Sequence, residues 1–65
     1  MNYFDQEIYA NDNGTRACLE RTLSGYFRVV VWKDCCITLS RKVYQTYRIA
    51  KRFIDDNGYY IVARH

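Results

Sequence analysis

The stretch Tyr26-Phe27-Arg28-Val29-Val30-Val31-Trp32 decides the fold. β-branched and aromatic residues crowd it, and these side chains suit a pleated, half-buried surface. Successive side chains of a strand point to opposite faces. Phe27, Val29 and Val31 therefore form one apolar face, and Tyr26, Arg28, Val30 and Trp32 form the other, which is mixed. Lys33-Asp34 marks a bend. Cys36 to Tyr44 then returns, with Ile37, Leu39 and Val43 on one side and Thr38, Ser40, Lys42 and Tyr44 on the other. With Val31 paired near Ile37, the two apolar faces coincide. A slip of one residue would turn Val30 and Trp32 inward instead, and periodicity leaves the buried face of strand 26–32 open.

Upstream, Thr15 to Leu23 alternates well: Thr15, Ala17, Leu19, Arg21 and Leu23 share one side, and Arg16, Cys18, Glu20 and Thr22 share the other. Ser24-Gly25 turns this strand into the next. Asn11-Asp12-Asn13-Gly14 is a stronger turn, because Asn, Asp and Gly tolerate positive φ. Before it, Phe4 to Ala10 reads as a short strand. Downstream, the period changes to that of a helix. One start is Ser40, with Leu39 stapled to Tyr44; the preferred start is Thr46, a good N-cap residue. From Thr46, the residues Tyr47, Ile49, Ala50, Phe53 and Ile54 form an apolar stripe, with Arg48, Lys51, Arg52 and Asp55 opposite. Asn57-Gly58 supplies a left-handed stop. Tyr59 to Ala63 has strand character and is a candidate short last strand.

The expected fold class is α+β: an antiparallel meander of three to four strands, with one helix from the C-terminal half packed on one face. Residues 1–65 make a single small domain. A chain this short buries only about 60% of the surface its unfolded form exposes, so its core is small. Small chains often add a metal, disulfides or a second subunit. The composition is that of a globular chain, with 49% hydrophobic and 26% charged residues and no proline.

Composition also narrows the chemistry. No basic start or apolar run follows Met1, so no signal peptide is expected. Apolar runs such as Val29-Val30-Val31-Trp32 are too short to span a membrane. Three cysteines, two of them adjacent, do not make a disulfide framework, which favours a reducing cytoplasm. No serine, cysteine or lysine has a base beside it in sequence, and the one histidine is His65. Asp55 and Asp56 are helix neighbours pointing about 100° apart, which is not a prepared acid–base pair. An enzyme is not expected. Cys18, Cys35, Cys36 and His65 match a zinc site in number but not in spacing, so no metal and no cofactor are expected. Gly14, Gly25 and Gly58 are isolated turn glycines and form no phosphate-binding loop.

What remains is a surface. Tyr26, Arg28, Trp32, Lys42 and Tyr44 fall on the outward side of the main hairpin, and Arg48, Lys51 and Arg52 on the outward side of the helix. Aromatic and arginine side chains anchor protein interfaces. The same side chains can stack on bases and pair with phosphates. Seven of the ten cationic residues are arginine, and the net charge of +3 favours an anionic partner only mildly. A protein partner is the first expectation, nucleic acid the second, and a homodimer through the same face the third.

The segment Tyr26 to Asp56, about half of the chain, resembles small sheet-plus-helix DNA-binding domains of the AP2 type and the arm-binding domains of phage-type integrases. The carrying residues are Tyr44-Gln45-Thr46, an aromatic-x-Thr step, followed by Ala50 and Phe53. The resemblance implies DNA reading by the outer face of the sheet, here Arg28, Val30, Trp32, Ser40 and Lys42. This chain departs from it in having few sheet glycines and in the residues 1–25 that precede the segment. In size and style the chain also resembles accessory proteins of phages and mobile elements, anti-CRISPR proteins among them. That resemblance implies a small inhibitor or regulator that covers a working surface of a host defence complex in the host cytoplasm.

Overall fold

The computed structural model describes residues 6–33 and 37–65. The first strand is therefore seen from Gln6; Phe4, Asp34, Cys35 and Cys36 lie outside the described residues. The elements run β1 (Gln6–Ala10), β2 (Thr15–Arg21), β3 (Phe27–Lys33), β4 (Ile37–Tyr44), α1 (Tyr47–Asp56) and β5 (Tyr60–Arg64). The fold is α+β, with five strands in one antiparallel sheet of order β4-β3-β2-β1-β5 and one helix. The first four strands are a meander. α1 carries the chain back across the sheet, so that β5 joins beside β1. Five strands exceed the three or four expected, because β5 is a full member of the sheet.

Local chemistry sets each corner. Asn11 Oδ1 accepts hydrogen bonds from the Asn13 and Thr15 amides and from Thr15 Oγ1, at 3.0, 3.1 and 2.8 Å. Gly25 sits at φ 89°, a left-handed conformation that glycine adopts without steric cost, and closes the β2–β3 turn. Thr46 caps α1, its Oγ1 accepting the Ile49 amide at 3.2 Å. That position, two residues after Tyr44, excludes the alternative start at Ser40, which lies within β4.

α1 covers one face of the sheet. Ala50 and Ile54 are fully buried against Tyr9, Ala17, Leu19, Val29 and Val31. Phe27, Tyr44, Tyr47, Phe53 and Tyr59 close the margins of this core. Phe27 meets Tyr47 edge-on with ring centroids 5.8 Å apart. Phe27, Val29 and Val31 thus point to the helix, and Arg28, Val30 and Trp32 to the outer face.

The expected facing of β4 is reversed from Ser40 onward, while Thr38 lies outward opposite Trp32 as expected. Val31 pairs with Ser40 rather than near Ile37, and an irregularity between Val31 and Trp32 leaves Leu39 as the extra residue before Trp32 meets Thr38. Ser40, Lys42 and Tyr44 therefore lie on the helix side, while Arg41 and Val43 point outward. The physical cause is Tyr44. It stacks on Phe53 with centroids 6.2 Å apart, burying more apolar surface beneath the helix than Val43 would. Ile37, Leu39 and Val43 remain 60%, 53% and 57% exposed.

Candidate functional site

The sheet face away from α1 is the candidate site. In an antiparallel sheet, directly paired residues share a face, so the pairings lay this face out in three rows. The first row is Tyr60–Ala10–Arg16–Trp32–Thr38, the middle row Ala63–Ile8–Cys18–Val30–Arg41, and the third His65–Gln6–Glu20–Arg28–Val43. The middle row is apolar until it meets Arg41. Cys18, at its centre, is only 8% exposed. Burial and the nearby Glu20 carboxylate push its thiol pKa up, against a smaller opposing pull from Arg28. It is therefore a packing residue rather than an activated nucleophile.

Charge surrounds this row. Arg28 donates from Nε to Glu20 Oε2 at 2.8 Å and again from its terminal nitrogen. Gln6 Nε2 donates to the other Glu20 oxygen at 3.3 Å. Arg28 is thus fixed in place, and its charge is matched. Arg16 and Arg41 are exposed and make no ion pair among the described residues. Arg16 stands directly opposite Trp32.

Of the residues singled out in the sequence, Arg28 and Trp32 come together on this face. Tyr26 lies 46% exposed at its corner, in the β2–β3 turn. Lys42 and Tyr44 lie on the opposite side of the sheet. The face implied by the DNA-binding resemblance is split in the same way: Arg28, Val30 and Trp32 hold together, while Ser40 and Lys42 do not join them. Arg48, Lys51 and Arg52 line a shallow depression on α1 with Tyr47, Asp55 and Asp56. Lys51 is paired there with Asp55 at 2.6 Å, and its ammonium lies 5.8 Å from the Tyr9 ring centroid. Sequence reading missed Arg16, Arg41, Ile8 and Tyr60 as members of the face. The alternation of β2 already displayed Arg16, Cys18 and Glu20 together; only strand order and register bring in the others.

A second polar cluster lies under the helix. Glu7 is 2% exposed. Its Oε1 accepts from the Tyr9 hydroxyl at 2.6 Å and the Tyr47 hydroxyl at 2.9 Å, and its Oε2 from Arg64 Nε at 3.2 Å. Burial, reinforced by the Glu7 carboxylate, raises the pKa of both tyrosines above the ordinary phenol range. The cluster ties β1, α1 and β5 together, and every side-chain oxygen in it has a partner. Among the described residues, no three of His, Cys, Asp and Glu converge on a metal position, and no helix is long and apolar enough to cross a membrane.

Comparison with known protein families, curated proteins and solved structures finds no match.

Proposed function

We propose that this chain is a non-enzymatic binding protein that occupies a macromolecular surface with the outer face of its sheet. The supporting observation is that face itself: an apolar row through Ile8, Cys18 and Val30, flanked by Trp32, Arg16, Arg28 and Arg41, with no helix or strand of the described residues over it. Apolar centre, aromatic anchor and charged rim are the ingredients of a protein interface. A protein partner is therefore the primary reading. In size and style the chain fits a phage-type accessory protein that inhibits or regulates a host complex in the cytoplasm.

The second reading is a DNA- or RNA-binding module on the same face. Arg16 lies in one row with Trp32 and Tyr60, an arrangement suited to phosphate pairing beside base stacking.

Titration of the pure protein with labelled duplex DNA, single-stranded DNA and RNA, at about 50 and 200 mM salt, separates the two. Micromolar binding that collapses with salt and with Arg16→Ala favours nucleic acid. Without such binding, a host protein is sought by capture and rebuilt with purified components. That complex should depend most on Trp32 and little on Lys42. Equal loss from Lys42→Ala and Trp32→Ala would sink the outer face as the site.

A further inference from the structure

β4 is an edge of the sheet: it pairs with β3 on one side and with no strand of the described residues on the other. Alternate residues of an edge strand point their N–H and C=O groups away from the sheet, a template for a further strand. β4 is the longest strand, and most of its side chains are exposed. It carries two adjacent cations and no carboxylate. Lys42 lies on the helix side and Arg41 on the outer side; both are exposed, and neither side chain makes a hydrogen bond or ion pair among the described residues. The β3 residues paired with them, Val29 and Val30, offer no charge in return. We propose that this edge binds an extended acidic segment of another protein, which joins the sheet as a sixth strand beside β4. The site is separate from the outer face proposed above and takes a separate ligand; Arg41 borders both.

The two sides of the edge set the pattern of that ligand. The β3–β4 register is continuous from Ser40 to Tyr44, so the pleat is regular where the cations stand. An incoming strand presents its side chains alternately to the two sides. On the helix side it meets Tyr44 and then Lys42. Ile49 and Phe53, one turn apart, share a side of α1, and the contact of Phe53 with Tyr44 places that side toward β4. Ile49 is 48% exposed, which leaves apolar surface for the ligand beside Tyr44. On the outer side the strand meets Val43, 57% exposed, and then Arg41. In antiparallel register, the ligand residues opposite Tyr44, Val43, Lys42 and Arg41 are therefore apolar, apolar, acidic and acidic.

The same cations decide what is refused. Lysine on an edge guards it against indiscriminate strand pairing, and like charges directly opposite destabilise a sheet. Carboxylates turn this guard into attraction, so charge gives the edge its selectivity. Backbone pairing supplies affinity and the alternate side chains specificity, as in other cases of strand addition. β5, the opposite edge, offers no such signal: it is five residues long, and its one cation, Arg64, is bonded to the buried Glu7.

The test is titration of the isotope-labelled full chain, at about 150 mM salt, with a capped peptide of about eight residues whose centre reads Val-Ile-Glu-Asp between threonines. Concentrations up to about 1 mM cover the weak end of the affinity scale. Binding should slow amide exchange along β4, and a peptide with Lys-Arg in place of Glu-Asp should not bind. N-methylation of one alternate set of peptide residues should abolish binding, and of the other set should not, because only one set faces β4. Lys42→Glu should weaken binding about tenfold or more. Arg48→Glu makes the same change of charge among Tyr47 and Lys51, on the β1 side of α1, and should alter it less than about threefold at this salt. Failure of the acidic peptide to protect β4, indifference to N-methylation, or equal loss from the two charge reversals would overturn the proposal. Protection of β4 that rises with protein concentration in the absence of peptide would give the edge to a second copy and overturn it too. None of these results touches the outer face, whose ligands and variants are different.

Discussion

Glu7 has an environment unlike that of any other carboxylate among the described residues. A charge 2% exposed is tolerable only when its oxygens are saturated, and three donors saturate them here. Glu7→Ala would strand two tyrosine hydroxyls beneath the helix. A loss of about 2–4 kcal/mol is expected by urea unfolding. Glu7→Gln keeps an acceptor and should cost less. Arg64→Ala should cost under about 1 kcal/mol, because that side chain is 64% exposed and water replaces it. The tyrosines add a pH dependence whose sign is fixed. Their folded pKa values are raised, so the unfolded chain gives up these protons first. The stability they contribute is complete below the ordinary phenol pKa of about 10 and is lost as pH climbs above it. Thermal melts between neutral and strongly alkaline pH should fall over that window, and Tyr9→Phe should flatten the fall. An unchanged slope in Tyr9→Phe would remove this residue from the effect.

At the scale of elements, α1 is short and depends on its ends. Ten residues of isolated helix are marginal in water; this one is held by Ala50 and Ile54 within the core and by its caps. Thr46→Ala removes the acceptor for the Ile49 amide and should cost about 1 kcal/mol. Gly58 stands at φ 73°, and a Cβ there would meet nothing within 4 Å. The cost of Gly58→Ala is thus backbone strain alone, about 1–2 kcal/mol. Urea midpoints of both variants check these values, and additivity in the double variant is expected for distant ends. The cap and the stop were readable in the sequence because they depend on residues adjacent in the chain. The facing of β4 was not. Its alternation offered Ile37, Leu39 and Val43 as the apolar side, and only the contact of Tyr44 with Phe53 shows why Val43 turns away from the helix.

The whole molecule is a thin layer pair with principal extents of 32 × 21 × 20 Å. Stability near 0.05–0.15 kcal/mol per residue gives about 3–10 kcal/mol for such a chain. Ile54, fully buried between helix and sheet, carries a large share. Ile54→Ala should cost about 2–5 kcal/mol and leave the chain close to unfolding at room temperature. Circular dichroism would show this as a lost or greatly lowered melting transition. A melt within a few degrees of the parent would mean that the core is held elsewhere. The outer face is also a property of this scale, since its three rows draw on all five strands.

Local pattern alone determined the α+β class, the capped helix, the turns and the grouping of Arg16, Cys18 and Glu20, and left open which face of β3 turns inward. Each depends on spacing within one segment, where side-chain period and backbone preference act directly. The tertiary structure alone decided that β5 completes the sheet beside β1, that β4 turns Tyr44 to the helix, that Glu7 is buried among donors, and that Arg16, Arg41 and Tyr60 join Arg28 and Trp32 on one face. These are agreements between segments distant in sequence. Burial of aromatic area and saturation of a buried charge settle them only when the strands lie side by side, which no single stretch of sequence encodes.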